Sequence, residues 1–428
     1  NIVHVEHHKC HANYGYYTSP FRKKKCLIFT IDGAGDNGIN ATISIGEKGE
    51  IKKFYETTNC IVGRIYSHIT LLFGMRRLEH EYKIMGLAPY AQNKKDRSTY
   101  EIFNSCLKFD GYKINFDKKP KDSFFHFEKK LRGKRFDVVA ASLQQWVEDF
   151  LIQWVKNTIK IKKIKNIVFS GGVAMNAKAM GKIIELKEVE SLWVPGASQD
   201  DSICIGASLE HNKNKFVNLN SLYLGNDSDE DEKKFVKGLN NKKFIIKKYD
   251  HNLASKLLEQ GKVFGRCVGK MEFGPRSLGN RSIIADPRNI ETRDLINKMI
   301  KKRDFWMPFA PTVLDKVASK YLINSNKIHS HHMSVTYKTT KLGNKNLKAG
   351  SHDADNTVRA QILTRKINKE YYDLISSFYK LTGCGGLLNT SFNLHGFPVV
   401  KSLKDSLFVL NNSGLDGIIS KNYIVLKK

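Results

Sequence analysis

With 428 residues, 41% of them hydrophobic, the chain is long enough for two domains with buried cores, and no uninterrupted apolar stretch reaches the ~18 residues of a membrane span. The net charge of +29 invites a nucleic-acid reading, but the lysines run through the whole chain (KKK at 23–25, KIKKIKNI at 160–167, NNKK at 240–243) beside an excess of Ile and Asn, so a biased genome accounts for the charge and no nucleic-acid partner is expected. The seven cysteines are scattered, odd in number and form no CxxC pair, which favours a reducing compartment over a thiolate metal site.

The opening residues, NIVHVEHHKCHA, lack the apolar core of a leader peptide, and the cytoplasm is the expected location. They hold His4, His7, His8 and His11. His7 and His11 stand at i, i+4, so on a helix they share one face with Cβ atoms ~5–6 Å apart. That spacing suits two imidazoles on one metal ion; the alternative is a solvated N-terminal helix. Cys26–Ile31 is an apolar run ending in Asp32-Gly33-Ala34-Gly35-Asp36, a buried strand entering a glycine turn. Runs 39–45 and 51–55 flank Gly46-Glu47-Lys48-Gly49 as a hairpin. Lys83, in EYKIMGLAPY, has the length to reach a phosphate, although a lone helical lysine is usually solvated. Apolar residues at helical spacing from Phe136 to Ile159 predict a long helix with a buried face.

Residues 167–169 read as a strand feeding Ser170-Gly171-Gly172 and then a helix over 174–184. Backbone N–H groups of that turn suit a nucleotide phosphate or ribose at a helix N-terminus. Residues 192–194 form the next strand, followed by PGASQDD and a small-residue helix to Leu209. Asp32 and Asp200 both follow predicted strands, so they are the carboxylates available to complete a two-histidine site. Oxygen ligands beside two histidines favour iron, manganese or zinc. Alternating strands and helices with glycines and acids after the strands describe an α/β domain with ligands at strand ends. From Asn218 the composition turns polar and acidic, a linker over 218–239 that continues into a surface helix.

The second part begins near Asn240. A helix over 253–260 leads to a strand over 263–268 and then to GKMEFGPRSLGNRSIIADPR (269–288). Lys270, Arg276, Arg281 and Arg288 there interlock with Gly269, Gly274, Pro275 and Gly279. Glycines let a backbone approach a ligand closely, and arginines offer permanently charged forks for phosphate or carboxylate. The segment is therefore expected to be an anion pocket, for phosphate first. Arg303, Arg359 and a loop carrying Asn389, Ser391 and Asn393, after a strand over 386–388, add further donors. No serine lies in GxSxG, and Cys10 has no activating context.

In order, EHHKCHA (6–12), TIDGAGD (30–36), EYKIMGLAPY (81–90), FSGGVAMNAKAMGK (169–182), PGASQDDSICIGAS (195–208), the 269–288 segment, FWMPFAP (305–311), DNTVRAQ (355–361) and LLNTSFNLHGFPVV (387–400) resemble the O-carbamoyltransferase family of NodU/CmcH type. The resemblance implies an α/β protein with an actin-like ATPase (ribonuclease H-like) domain at 1–217 and a YrdC-like α/β domain with a twisted sheet at 240–428. It implies that the second domain converts carbamoyl phosphate and ATP into carbamoyl-adenylate. The first then binds this adenylate on a metal ion, iron first with zinc or manganese as alternatives, and transfers the carbamoyl group to a hydroxyl of a small-molecule acceptor. By motif, His7, His11, Asp32 and Asp200 are the metal ligands; Asp200 is preferred to Asp201 for its spacing to Gly206-Ala207. Gly171, Gly172 and Asn176 contact nucleotide, with Lys83, Arg288, Ser391 and Asn393 as further cofactor-side candidates. Lys270, Arg276, Arg281, Arg303 and Asn389 hold carbamoyl phosphate and ATP. A homodimer is compatible with this reading. Family members open with a strand and a His-Asp-Ala/Ser loop about a hundred residues before the HxxxH pair. That part has no counterpart here, so the transfer domain is expected to be N-terminally incomplete. Ala91 also replaces a common glycine. The alternatives are a threonylcarbamoyl-adenylate transferase acting on tRNA and a non-catalytic nucleotide-binding remnant.

Overall fold

The computed structural model describes residues 2–94, 96–212, 219, 221–228, 232–328 and 331–428. The chain divides into two compact units. One holds Asn1–Leu219 with Asn326–Ser330 and Ser334–Thr336; the other holds Asn220–Ser325, His331–Met333 and Tyr337–Lys428. Of the stretch read as a linker, residues 218, 220 and 229–231 lie outside the described residues, and Glu232–Lys237 is helical.

The strands of the first unit are β1 (Cys26–Ile31), β2 (Ala41–Glu47), β3 (Glu50–Thr57), β4 (Leu107–Asp110), β5 (Lys113–Phe116), β6 (Asn166–Ser170) and β7 (Ser191–Trp193). Five of them form a mixed sheet in the order β3-β2-β1-β6-β7, and β4 and β5 form a separate hairpin. β1 is antiparallel to β2 and parallel to β6. Every residue of β1 is buried, as expected of a run that is apolar on both faces. Alternate side chains serve the two faces. Ile28 and Val168 meet Ala12, Tyr16 and Tyr17 of the helix His7–Tyr17, here α1. Phe29 and Phe169 face the other way, where Trp154 of the helix Phe136–Lys162 lies with its ring 4.9 Å from Phe29. That helix runs three residues past the expected Ile159 and stops at Lys163, in the left-handed region. The helix expected from 174 instead begins as a 3-10 turn, Gly172–Met175, and becomes α-helical at Ala177 with Asn176 as its cap.

The second unit adds β8 (Phe244–Lys248), β9 (Phe264–Cys267), β10 (Arg281–Ala285), β11 (Ala310–Leu314), β12 (Tyr337–Lys338), β13 (Thr357–Val358), β14 (Gln361–Leu363), β15 (Gly386–Ser391), β16 (Gly417–Ile419) and β17 (Tyr423–Lys427). Eight make a mixed sheet in the order β14-β11-β15-β10-β9-β16-β17-β8. Ile283, Leu388, Phe392, Leu403, Leu410 and Ile418 pack one continuous core on it. The sequence placed a loop from Asn389, but β15 continues to Ser391 and pairs with β10 and β11. Backbone pairing in the middle of a sheet outweighs the polarity of Asn389-Thr390-Ser391, since each ladder group would otherwise be buried unpaired.

Candidate functional site

The glutamate at the start of α1 sets the first cluster. Glu6 accepts hydrogen bonds from the backbone N–H of His8 and Lys9, both at 2.8 Å, and its charge suits a helix N-terminus. His8 is buried, with Nδ1 2.8 Å from Thr30 Oγ1 and Nε2 3.0 Å from the Ile39 carbonyl. A carbonyl only accepts, so Nε2 carries the proton and the ring anchors α1 as a neutral group. Burial holds His8 below the ordinary histidine pKa, consistent with that role. One turn of α1 then presents His7 and His11 on the same side.

Asp32, just past β1, and Asp200, just past β7, face those rings. His11 Nε2 lies 3.2 Å from Asp32 Oδ2 and 3.5 Å from Asp200 Oδ1; His7 Nε2 lies 3.9 and 3.6 Å from the same atoms. The two Nε2 atoms are 3.1 Å apart. One ligand atom from each of His7, His11, Asp32 and Asp200 falls within 4.8 Å of all the others. Two contacts orient Asp32: Oδ1 accepts from Gly33 N at 2.6 Å and Oδ2 from Gly172 N at 2.8 Å. Asp200 is brought in by helix packing. A Cβ on Gly206 would lie 2.0 Å from the Cys10 carbonyl oxygen, so only glycine lets the helix Ile203–Asn212 approach α1 this closely. Asn13 then ties the two by donating to Gly206 O at 3.1 Å.

The electrostatics suit a cation. Burial opposes charge on His11, but hydrogen bonds to Asp200 and Asp32 outweigh it and raise the imidazole above its ordinary pKa. Burial likewise works against ionised Asp32, and the hydrogen bonds from His11 and His7 overcome it and depress its pKa strongly. His11 Nδ1 is buried without a hydrogen-bond partner, while the Asp200 side chain is two-thirds exposed. The donor set is thus two imidazoles and two carboxylates, closed on the protein side and open at Asp200. It fits a divalent first-row transition ion.

Close by, Gly171 adopts φ +96°, and a Cβ there would meet the Ile31 carbonyl oxygen at 2.3 Å. Asn176 is fully employed. Its Oδ1 accepts from Ala179 N and Gln144 Nε2, both at 3.0 Å, and its Nδ2 donates to Gln144 Oε1 at 3.0 Å. Gln144 in turn donates to Glu148 Oε1 and accepts from the Tyr66 hydroxyl. Burial pushes the Glu148 carboxyl above the ordinary range. Composition and spacing gave no sign of Gln144 or Glu148. Lys83 sits half-buried on the short helix Glu81–Leu87, which packs on Phe136–Lys162.

The Arg/Gly segment of the second unit proves largely self-satisfied. Arg281 is fully buried and donates to the backbone carbonyls of Lys401, Val268, Gly269, Asn280 and Asn226 at 2.8–3.5 Å. Arg288 forms a two-pronged pair with Asp286 at 2.6–3.0 Å and lies over Phe378. Asn389 is buried and donates to Ser277 O and Thr312 Oγ1. The sequence reading assigned Arg281 and Asn389 to carbamoyl phosphate and ATP and Arg288 to the cofactor side; in this conformation their side chains build the fold. The N–H groups of Leu278, Asn280 and Arg281 are likewise taken, all by Glu272 Oε1 at 2.8–3.2 Å. Lys270 is exposed and Arg276 half-buried. A cavity of about 440 Å³ opens beside Gly269 and Asn280, with His251, Asn368 and Lys369 on its other side. Arg303 lies over Phe309 and donates to Thr390 Oγ1 at 3.2 Å, while Arg359 is half-buried. Ser391 and Asn393 are engaged by Lys301, a residue that sequence reasoning did not single out.

Residues 1–209 match the Carbamoyltransferase N-terminus family and residues 255–427 the Carbamoyltransferase C-terminus family. The chain belongs to the carbamoyltransferase family, a family of enzymes. Among its relatives, an uncharacterized protein of Methanocaldococcus jannaschii is 32% identical over 99% of this chain and 73% of its own length. Nodulation protein NolNO of Sinorhizobium fredii is 31% identical over 100% of this chain and 64% of its own. The 3'-hydroxymethylcephem-O-carbamoyltransferase of Amycolatopsis lactamdurans is 28% identical over 40% of this chain and 32% of its own. The family is thus of NodU/CmcH type. Among solved structures, full-length HypF in a phosphate- and nucleotide-bound form aligns with 41% of this chain and 24% of its own at 16% identity and a TM-score of 0.28, an overlap too slight to bear on function. Among the described residues no helix is long and apolar enough to cross a membrane.

Proposed function

We propose that this family member is an ATP-dependent O-carbamoyltransferase. In the first half-reaction, carbamoyl phosphate, ATP and water give carbamoyl-adenylate, pyrophosphate and phosphate. In the second, an acceptor hydroxyl attacks the carbamoyl carbon, AMP leaves, and the hydroxyl proton is released. The acceptor is proposed to be a hydroxyl of a sugar or natural product, the class suggested by the name of the cephem relative. The observation that carries the reading is the convergence of His7, His11, Asp32 and Asp200 within 4.8 Å, from three separate stretches of the segment 1–209 that matches the Carbamoyltransferase N-terminus family. We take the first unit as the actin-like domain, which its mixed five-stranded sheet supports, and the second as the YrdC-like domain.

His7, His11, Asp32 and Asp200 would hold the ion, iron first and zinc or manganese as the alternatives that the same donors accept. When bound, such an ion supplies Lewis acidity toward a carbonyl or phosphate oxygen. Gly171 and Gly172 bring backbone close to the same spot, and Asn176, oriented by Gln144, fixes the start of the following helix. In the second unit Lys270, Arg276 and Arg303 are the cations proposed to face phosphate oxygens. Arg281, Arg288 and Asn389 enter the proposal as the frame that holds them. Charge-assisted contacts of this kind are worth about 1.5–3 kcal/mol each.

The test is twofold. Untagged protein should carry near-stoichiometric transition metal by elemental analysis, and should release pyrophosphate from ATP only when carbamoyl phosphate is present. Metal-free protein with no carbamoyl phosphate-dependent pyrophosphate would sink the reading. Pyrophosphate release stimulated by tRNA and threonine instead would move the assignment to the neighbouring class.

A further inference from the structure

Glu272 lies where an acid should do harm. It stands in the loop between β9 and β10, two residues after Lys270 and four before Arg276, the cations proposed to face phosphate, and a carboxylate among them opposes an incoming anion. Its charge is turned elsewhere. Oε1 accepts from the backbone N–H of Leu278 and of Asn280, both at 2.8 Å, and from that of Arg281 at 3.2 Å. Hydrogen bonds to an ionised acceptor are roughly twice as strong as neutral ones, and three on one oxygen spread its charge over the N–H dipoles at the end of the loop. The acid is thereby tolerated, and the same contacts make it a brace.

The loop has an outbound leg and a return leg. The outbound leg is pinned through its backbone: Met271 N donates to Asn226 O at 2.9 Å and Phe273 N to Leu222 O at 2.7 Å. Gly274, at φ +95°, turns the chain. The return leg carries Arg276 and reaches Gly279 at φ +117°, where a Cβ would lie 2.3 Å from the Tyr371 ring. Glycines leave a backbone free to take other shapes, so a loop of this composition needs ties to hold one. Asn280 Nδ2 donates to Lys270 O at 2.8 Å, and Glu272 gathers the three N–H groups beyond Arg276. Arg276 thus lies inside the span that Glu272 closes, two residues before Leu278, and the carboxylate decides the path of the stretch that carries the guanidinium.

We propose that Glu272 is a positioning residue, an acceptor that holds the return leg to the pinned outbound leg and so sets the reach of Arg276 toward the phosphate groups of the substrate. This role rests on the activity proposed above and extends it to an acid that acts through a neighbouring cation. What the loop needs at 272 is an acceptor oxygen at the length of glutamate. Glutamine meets that need, while aspartate, one methylene shorter, keeps the charge and loses the reach. Because Glu272 acts through Arg276, its removal adds nothing once the guanidinium is gone.

Glu272→Ala, Glu272→Asp, Glu272→Gln, Arg276→Ala and the Glu272→Ala/Arg276→Ala pair are compared with the wild type. The readouts are KM for carbamoyl phosphate in pyrophosphate release, the calorimetric Kd for inorganic pyrophosphate, and amide hydrogen exchange at Leu278, Asn280 and Arg281. The Ala and Asp variants at 272 should speed exchange at all three amides and raise KM and Kd about tenfold or more, the scale of a misplaced substrate-positioning group. Glu272→Gln, which keeps a neutral acceptor, should stay within about threefold of wild type in each readout. The pair should bind pyrophosphate within about twofold of Arg276→Ala alone. Losses that multiply in the pair overturn the proposal, because the acid then acts independently of Arg276. Faster exchange with KM and Kd unchanged overturns it as well, as do unchanged exchange and a Glu272→Gln that behaves like Glu272→Ala. If Glu272→Ala does not fold, Glu272→Asp takes its place, alone and paired with Arg276→Ala. Should the wild type bind pyrophosphate yet release none, the proposed activity is what fails, and the Kd series still judges Glu272. A wild type that binds no pyrophosphate overturns the positioning role itself.

Discussion

At the end of β1, His7 and His11 aim both Nε2 atoms at two carboxylates 3.2–3.9 Å away. In the Gly269–Arg288 segment of the second unit the charges turn the other way, into their own backbone: Arg281 onto five carbonyls, Arg288 onto Asp286, and three N–H groups onto Glu272. The first region concentrates donors that face one another, as metal ligands do before an ion separates them. The second spends most of its charge holding a glycine-rich loop in shape. Charge density in a sequence thus marks both kinds of place, and partner geometry tells them apart. In the Arg/Gly segment it marks Arg281 and Arg288 as builders, while Lys270 and Arg276 are the cations proposed above as presenters.

The comparison breaks first at the cluster. A His7→Ala/His11→Ala double variant should fold and lose its ion, with affinity falling by more than the roughly 10–100-fold seen when only outer-shell partners are removed. Wild-type metal content in that variant would mean that the donors are a solvated ion-pair network. Next comes Arg281→Ala, which orphans buried carbonyls at about 1 kcal/mol or more each and should cost about 3 kcal/mol of stability. A denaturant midpoint within error of wild type would return Arg281 to the presenters. Arg276→Ala should show the opposite signature: stability within about 0.5 kcal/mol, and pyrophosphate release down about tenfold, the loss of one charged contact. Equal behaviour of the two arginines would erase the distinction.

The smallest effect is pH dependence of metal loading. In the ion-free protein His11 is held above its ordinary pKa, after burial is outweighed by hydrogen bonds to Asp200 and Asp32. A proton therefore occupies it below that raised value and must leave when an ion binds. Affinity should be flat above the raised His11 pKa and fall as pH drops through it, by at most about tenfold per unit for one proton. Titrating metal into apoprotein across that range checks the sign; affinity rising toward acid would contradict it.

Much of the cluster was legible because its signals are local. The i, i+4 histidines needed only a helix, and Asp32 and the Asp200-Asp201 pair needed only an apolar strand running into a glycine or small-residue turn, with the resemblance choosing Asp200. Strands and helices long enough to show periodicity, such as β1 and Phe136–Lys162, were legible for the same reason. Lys301 was not, because its partners lie about ninety residues away and a π-turn leaves no hydrophobic period to read. Glu272 was not singled out, because the three N–H groups that its carboxylate accepts from lie across the loop. The far end of β15 read as loop because Asn389-Thr390-Ser391 is polar, and only its place between β10 and β11 makes it strand. The inward turn of Arg281 had no signal either, since a guanidinium suited to phosphate is equally suited to carbonyls.

The contact between Gly206 and Cys10 carries a consequence for drift. Position 206 touches no ligand atom, yet any side chain there must push the helix Ile203–Asn212 away from α1 and carry Asp200 off the histidines. In a random-mutagenesis screen for lost activity, changes at 206 would therefore surface beside changes at the histidines, as chains emptied of the proposed metal.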